Sequence, residues 1–310
     1  MVTATAGGHL LEKERDFVRY VLNQGNWRAV VDTLGAEMIS CREKDLEYVW
    51  SGNPAYWTGH APVLFPVVCA LRNDRTSFGG LPFAIKQHGF ARKSEFTVVA
   101  VTEDSISLKL MDSLETREQY PFAFGLVIRH QLTENGYQTT YEVQNTGSGV
   151  LPFAIGGHAG FNCPLQAGEA FSDYRVIFEK NEDPAAYLLN DKGLMSTERK
   201  KEVLIKDGTV LPVTEAVFAE SALVFLHINS RKLSLVHREK GTGIDFVFDN
   251  FCNFGIWTPP GKGAPFLCLE PWQGIPSYED DAWIFEEKSD VVFLPAGSVY
   301  KAGYEMVRCG

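Results

Sequence analysis

Apolar and polar positions alternate with a period of two along most of this chain. In Ser105–Leu110, Ile106, Leu108 and Leu110 fall on one side and serine and lysine on the other. Leu126, Ile128, His130 and Leu132 alternate with Val127, Arg129 and Gln131. After Glu134, Asn135 and Gly136, a second run sets Tyr137, Thr139, Tyr141 and Val143 against Gln138, Thr140 and Glu142. Successive side chains of a strand point to opposite faces, so each run predicts a half-buried strand. Asn-Gly between two such runs predicts a hairpin turn over Glu134–Gly136.

The same pattern predicts short strands over Ala222–Ile228, Leu233–His237, Ile244–Phe248, Val291–Leu294 and Tyr300–Val307. Turns over Asn145–Gly149, Asn229–Arg231 and Glu239–Gly243 separate several of them. Helical periodicity is scarce, with short helical turns expected near Asn53–Trp57 and Asp112–Gln119. There is no internal repeat, low-complexity tract or linker. Many short strands with frequent turns predict one all-β domain over residues 1–310, a large antiparallel β-sandwich. Residues 1–14 are expected to be a loosely ordered extension.

Composition narrows the function. The 310 residues are 45% apolar and 22% charged, ordinary for a globular core. A net charge of −10 disfavours nucleic acid as a partner. The densest basic run, Arg199-Lys200-Lys201, lies between Glu198 and Glu202 and reads as a solvated turn or strand edge. The longest apolar stretch, Ala61–Leu71, is too short to span a bilayer and holds two prolines, so no membrane partner is expected. The six cysteines form no CxxC pair, which disfavours a zinc ribbon. Cys69 and Cys268 sit in apolar, strand-like runs, as small hydrophobes do. The N-terminus lacks the basic and apolar regions of a signal peptide. Reduced thiols and a cytoplasmic location are the expectation.

Three segments combine a titratable residue with glycines and aromatics: Gln87–Arg92 around His88, Gly156–Asn162 around His158, and Leu267–Trp272 around Glu270. Glu270 ends an apolar run. A carboxylate losing hydration there has a raised pKa and becomes a usable base near neutral pH. Pro271 and Trp272 after it suggest a rigid turn. His158 follows the apolar Leu151–Ile155 and lies among glycines, which permit close backbone approach. A histidine titrates in the physiological range and can serve as an acid. His130, His227 and His237 fit strand alternation and read as structural; His9 and His60 have no supporting context.

These segments resemble those of the aldose 1-epimerase superfamily, in particular its LacX-like branch. The matching stretches are Ala61–Val68, Gln87–Arg92, Ile155–Asn162, Gly255–Thr258 and Leu269–Gly274, with Gly35–Ser40 and Glu47–Trp50 fitting the first strands. The resemblance runs from about Gly25 to the C-terminus in one order. It implies a galactose mutarotase-like supersandwich with a sugar in an open groove, acting as a cofactor-free and metal-free isomerase, monomeric or homodimeric. It also implies roles. Glu270 matches the base that takes the anomeric hydroxyl proton, His158 the acid that protonates the ring oxygen, and His88 a second histidine that steadies developing charge. Arg72 matches a substrate-binding arginine, and Gln87, Arg92 and Asn162 lie in the matched motifs as further sugar contacts. Trp257, Trp272 and Phe161 are candidates for an aromatic platform.

One departure bears on the substrate. Where the family carries a sugar-binding aspartate, this chain has Ser221, with Glu220 beside it. Serine can hydrogen-bond a hydroxyl but brings no charge. The His-Gly-Phe-Ala-Arg wording also resembles hexose-6-phosphate 1-epimerases, in which case Arg92 and Arg72 would form a phosphate clamp. A non-catalytic sugar-binding protein on the same scaffold is the alternative of another class. A glycoside hydrolase would need a second carboxylate facing Glu270, for which the sequence offers no partner.

Overall fold

The computed structural model describes residues 10–11, 18–202 and 205–310. Apart from Leu10 and Leu11, the extension expected over residues 1–14 and His9 lie outside the described residues.

Two large antiparallel sheets face each other. The nine-stranded sheet runs, edge to edge, Val210–Pro212, Tyr174–Phe178, Lys232–His237, Gly243–Asp249, Val299–Cys309, Gly136–Asn145, Phe124–Thr133, Ser105–Met111 and Thr97–Val101. The second sheet runs Met195–Glu202, Ala185–Leu189, Leu223–Phe225, Asn253–Trp257, Phe266–Gln273, Ile155–Gly157 and Val63–Leu64, with Ala159–Asn162 also paired to Phe266–Gln273. A smaller sheet comprises Leu10–Leu11, Arg19–Gln24, Trp27–Asp32, Glu37–Glu43 and Leu46–Glu47. The expected all-β sandwich is the architecture found.

The core fills the space between the large sheets. Phe246 of the nine-stranded sheet stacks on Tyr304 at 4.9 Å and meets Phe161 and Phe254 of the facing sheet edge-on at 5.7 and 6.0 Å. Tyr141 and Tyr304 close beneath Gly157, where an added Cβ would lie 2.9 Å from each. One face of the second sheet is therefore committed to the core. Its other face is free to carry a site.

Several expectations sharpen. The hairpin loop is Glu134-Asn135, and Gly136 already pairs with Thr133 as the first residue of the return strand. Glycine is needed there because a Cβ would lie 1.8 Å from the carbonyl oxygen of Met306 on the next strand. The strand expected over Ala222–Ile228 is only Leu223–Phe225, because the backbone at His227 turns left-handed at φ +52°. Asn53–Trp57 is a turn rather than a helix, closed by N–H donations from Tyr56 and Trp57 to the Asn53 carbonyl. The turn near Asp112 is a true helix, Leu114–Gln119, whose first turn is capped reciprocally by Ser113 and Thr116. The basic run lies in the edge strand Met195–Glu202, where Lys201 pairs with Glu220 at 2.9 Å. Cys69 is not in a strand but in a loop at φ +52°. All six cysteines are free thiols. Among the described residues no helix is long and apolar enough to cross a membrane.

Candidate active site

The free face of the second sheet holds a groove of about 410 Å³, within the range of small-molecule sites. Its floor is Phe266–Gln273, on which Cys268, Glu270 and Trp272 share the outward face. Ile155 and Gly156 pair with Gln273 and Trp272, and Ala159 pairs with Leu269. The register is the same on both sides of the short interruption at Gly157 and His158. His158 therefore stands directly across from Glu270. The ladder lapses opposite Pro271, which has no N–H to donate. The turn expected at Pro271 does not occur; the strand runs on to Gln273.

The glycines around His158 have steric duties. A Cβ on Gly156 would lie 2.6 Å from the Trp272 ring, and one on Gly255, across the other edge of the strand, 2.5 Å from the same ring. Trp272 thus lies flat over two glycines from the two flanking strands. A Cβ on Gly160 would crowd Trp57 at 3.1 Å. Trp57 stacks on the His158 imidazole at 4.8 Å, and Trp257 meets it edge-on at 5.5 Å. The sequence Gly-Gly-His-Ala-Gly thus seats a histidine between indoles on one face and closes on tyrosines on the other.

His158 Nε2 and Glu270 Oε2 are 3.3 Å apart, and both side chains are buried. Burial raises the Glu270 pKa well above the usual carboxylate range, offset in part by the Trp272 indole. Burial pulls His158 down to about 3, and the Arg92 charge adds to the effect. Both shifts favour uncharged forms, so the resting pair is neutral and holds one proton that either partner can carry. The buried Trp272 Nε1 has its N–H beside the Glu270 carboxyl and no other partner among the described residues.

His88 sits on a loop at φ +66°, with Gly89 at φ +70° where a Cβ would strike the Phe65 carbonyl at 2.1 Å. Its Nδ1 accepts the Cys69 N–H at 3.2 Å. The neutral imidazole therefore carries its proton on Nε2, as a donor. Burial, then the neighbouring His158 and Arg92, hold its pKa well below the usual value. The His88 and His158 rings meet edge-on at 5.4 Å.

Of the residues expected at the site, the groove gathers Gln87, His88, Arg92, His158, Glu220, Ser221, Trp257, Glu270 and Trp272. Ser221 is already engaged: its hydroxyl donates to the Ala222 carbonyl and accepts the Leu189 N–H, each at 2.9 Å. Arg72 is elsewhere. Its guanidinium donates to the Asp281 carbonyl at 2.8 Å and lies 5.1 Å from the centre of the Trp283 ring. Asn162 is elsewhere too, donating to the carbonyls of Glu47 and Val49. Phe161 points to the core, not the groove. The fold adds Trp57, Cys69, Asn190, Asp191 and Pro260 to the lining. Trp57 was detectable only as an aromatic near Gly59; Asn190 and Asp191 only as a turn signal.

His158, Cys268 and Glu270 also bring a nitrogen, a sulfur and an oxygen within 4.8 Å of one another, a possible metal-ligand set that sequence spacing does not reveal. Burial and the adjacent Glu270 raise the Cys268 thiol pKa, so it stays protonated. A larger hollow, about 500 Å³, lies on the outer face of the nine-stranded sheet and is lined by neither histidine nor cysteine.

The comparisons agree with this geometry. A family model described as aldose 1-epimerase matches residues 18–306. The protein LacX of Lactococcus lactis is 33% identical over 287 residues, covering 88% of this chain and 94% of that protein. A galactose mutarotase related enzyme from Lactobacillus acidophilus superposes with a TM-score of 0.88 at 29% identity, over 94% of this chain and 97% of the other. A galactose mutarotase-like protein from Lactobacillus casei gives 0.87 at 26% identity, over 94% and 100%. With a family match over nearly the whole chain and a relative of this identity and coverage, the protein belongs to the aldose 1-epimerase family.

Proposed function

We propose that this protein interconverts the α and β anomers of an aldose by opening and reclosing the sugar ring. The observation that carries the reading is the buried His158–Glu270 pair, 3.3 Å apart on the groove floor. With the shared proton on His158, Glu270 is a carboxylate. It takes the proton of the anomeric hydroxyl while His158 gives its own to the ring oxygen. The C1–ring oxygen bond breaks and C1=O forms. Rotation about C1–C2 presents the other carbonyl face. On closure His158 takes back the proton of the attacking hydroxyl, and Glu270 returns one to the carbonyl oxygen. Atoms and charges balance without an oxidant. His88 Nε2–H is a donor for oxygen charge that develops on the way. Trp57 and Trp257 offer flat faces to the sugar's C–H surface, and Gln87 and Asn190 supply hydrogen-bonding groups.

The lining favours an unphosphorylated sugar. Arg92 is the one lysine or arginine among the described lining residues, and Asp191, Glu220 and Glu270 share the groove with it. Arg72, the other half of the expected phosphate clamp, is bound to Asp281 and Trp283 instead. The six free thiols support a reducing compartment, the cytoplasm, as the place of action.

The test is anomer exchange measured by NMR on glucose, galactose and glucose 6-phosphate. Acceleration on a free hexose is expected, with a loss of roughly 10²–10⁴-fold in Glu270→Gln. No acceleration on any of the three, or full activity in Glu270→Gln, overturns the reading.

A further inference from the structure

A second set of unlike ligand atoms lies outside the sugar groove. His227, Cys252 and Asp290 come from three separate segments: the turn after Leu223–Phe225, the turn before Asn253–Trp257, and the turn before Val292–Leu294. Each offers one ligand atom, and the three atoms lie within 4.8 Å of one another. His227 Nε2 is 3.8 Å from Asp290 Oδ2. Sequence alternation assigned His227 a structural place in a strand. It is instead an exposed residue at φ +52°, with Asp290 at φ +60°. Neither position suits an L-residue by default, so the surrounding structure must hold both.

What holds them is Asn253, fully buried behind the three. Its Oδ1 accepts the His227 backbone N–H at 2.9 Å. Its Nδ2 donates to Asp290 Oδ2 at 2.9 Å and to the Gly274 carbonyl at 3.0 Å, and lies 3.3 Å from Cys252 Sγ. One amide therefore touches all three residues, in the way outer-shell partners orient metal ligands. Among the described residues no lysine or arginine pairs with Asp290; its ionisable neighbour is His227, at 3.8 Å. His227 is exposed while Cys252 and Asp290 are half-buried, so the cluster opens to solvent on the histidine side.

We propose that His227, Cys252 and Asp290 form a binding site for a borderline divalent transition-metal ion, Zn²⁺ being the best fit. One sulfur, one imidazole nitrogen and one carboxylate oxygen are the donor types Zn²⁺ takes, with the fourth tetrahedral position left to water on the open side. Mg²⁺ and Ca²⁺ prefer all-oxygen sites and do not match. The same three residue types also occur in cysteine-nucleophile sites. Here the imidazole–carboxylate distance is too long for the hydrogen bond that would orient such a base. The site joins three turns at the end of the strand that carries Glu270: Asn253 pairs with Trp272, two residues beyond Glu270. Its role is to fasten those turns together, independent of the sugar chemistry.

The test uses the whole chain, stripped with a chelator and titrated with Zn²⁺ against a chromophoric competitor, with Co²⁺ as a spectroscopic substitute. One Zn²⁺ site is expected, with a thiolate-to-Co²⁺ charge-transfer band and a rise in Tm on metal addition. His227→Ala and Cys252→Ser should each weaken binding at least about tenfold and abolish the Tm rise. Cys268→Ser and Glu270→Gln should leave both unchanged, which separates this site from the His158–Cys268–Glu270 cluster. Circular dichroism of metal-free His227→Ala, altered only at an exposed side chain, checks that the fold is intact. No Zn²⁺ binding by the wild type, binding that survives in His227→Ala and Cys252→Ser, or binding that is lost in Cys268→Ser instead, overturns the proposal.

Discussion

Cys69 and His88 exchange two hydrogen bonds. The Cys69 N–H donates to His88 Nδ1 at 3.2 Å, and the His88 backbone N–H donates to the Cys69 carbonyl at 2.8 Å. The first locks the ring as the Nε2–H tautomer. Nitrogen-15 NMR should therefore show His88 protonated at Nε2 only, with no titration in the range of an ordinary histidine, because burial, His158 and Arg92 depress its pKa. Removing the donor in His88→Ala should lower kcat by roughly 10²–10³-fold. A change confined to KM would mean that His88 only holds the sugar.

His130 offers a pH test away from the site. Its Nε2 donates to the Ala36 carbonyl at 2.8 Å and its Nδ1 accepts from the Thr139 hydroxyl at 2.9 Å, and burial holds its pKa at about 4. The unfolded chain takes up this proton near pH 6.5; the folded chain resists until about 4. The neutral ring thus contributes stability that is complete above pH 6.5 and lost as pH falls towards 4, by up to about 1.4 kcal/mol per pH unit. Urea midpoints should drop across that window in the wild type and less steeply in His130→Gln. Equal slopes would show that His130 plays no part in acid lability.

Gly255→Ala should strain the groove from beneath. The new methyl would lie 2.5 Å from the Trp272 ring. Overpacking of this kind costs about 1–3 kcal/mol, so Tm should fall and anomer exchange with it. Normal melting and normal rates would show that Trp272 moves aside freely.

Arg72 and Arg92 should separate cleanly. Arg72→Ala removes a contact to Asp281 and Trp283 outside the groove, so KM should stay within about twofold of wild type while stability declines by about 1–3 kcal/mol. Arg92 lines the groove, and its buried Nε has no partner in the protein. Arg92→Ala should raise KM by roughly tenfold or more, equivalent to about 1.4 kcal/mol. Steady-state anomer-exchange kinetics decide; the reverse ranking would place the sugar against Arg72.

Long strands with one wet face were legible from sequence. Phe124–Thr133 and Gly136–Asn145 alternate because one side packs and the other meets water. Phe266–Gln273 was harder, because every residue but the last is buried and Pro271 resembles a turn. Its continuation depends on a neighbour's ladder lapsing at Gly157 and His158, a tertiary fact. His88, His158 and Glu270 were nameable because their motifs are local, and the groove gathers all three. Arg72 and Asn162 do not line the groove, because the direction of a side chain depends on partners far along the chain, Asp281 for one and Glu47 for the other. The His227–Cys252–Asp290 set left no spacing signal, since its members lie on three separate turns.

The alternation that seats His158 across from Glu270 also limits how this scaffold can diverge. Gly157 and His158 are neighbours in sequence, yet one closes on the core tyrosines and the other faces the sugar groove. Inserting or deleting a single residue in Ile155–Asn162 or Phe266–Gln273 would exchange those faces, sending the imidazole or the carboxylate into the aromatic interior and an apolar side chain into the groove. These two strands can accept substitutions but not changes in length. New sugar preferences must therefore arise in the loops at the rim, such as the turn at Asn190 and Asp191, where extra residues leave the register beneath untouched.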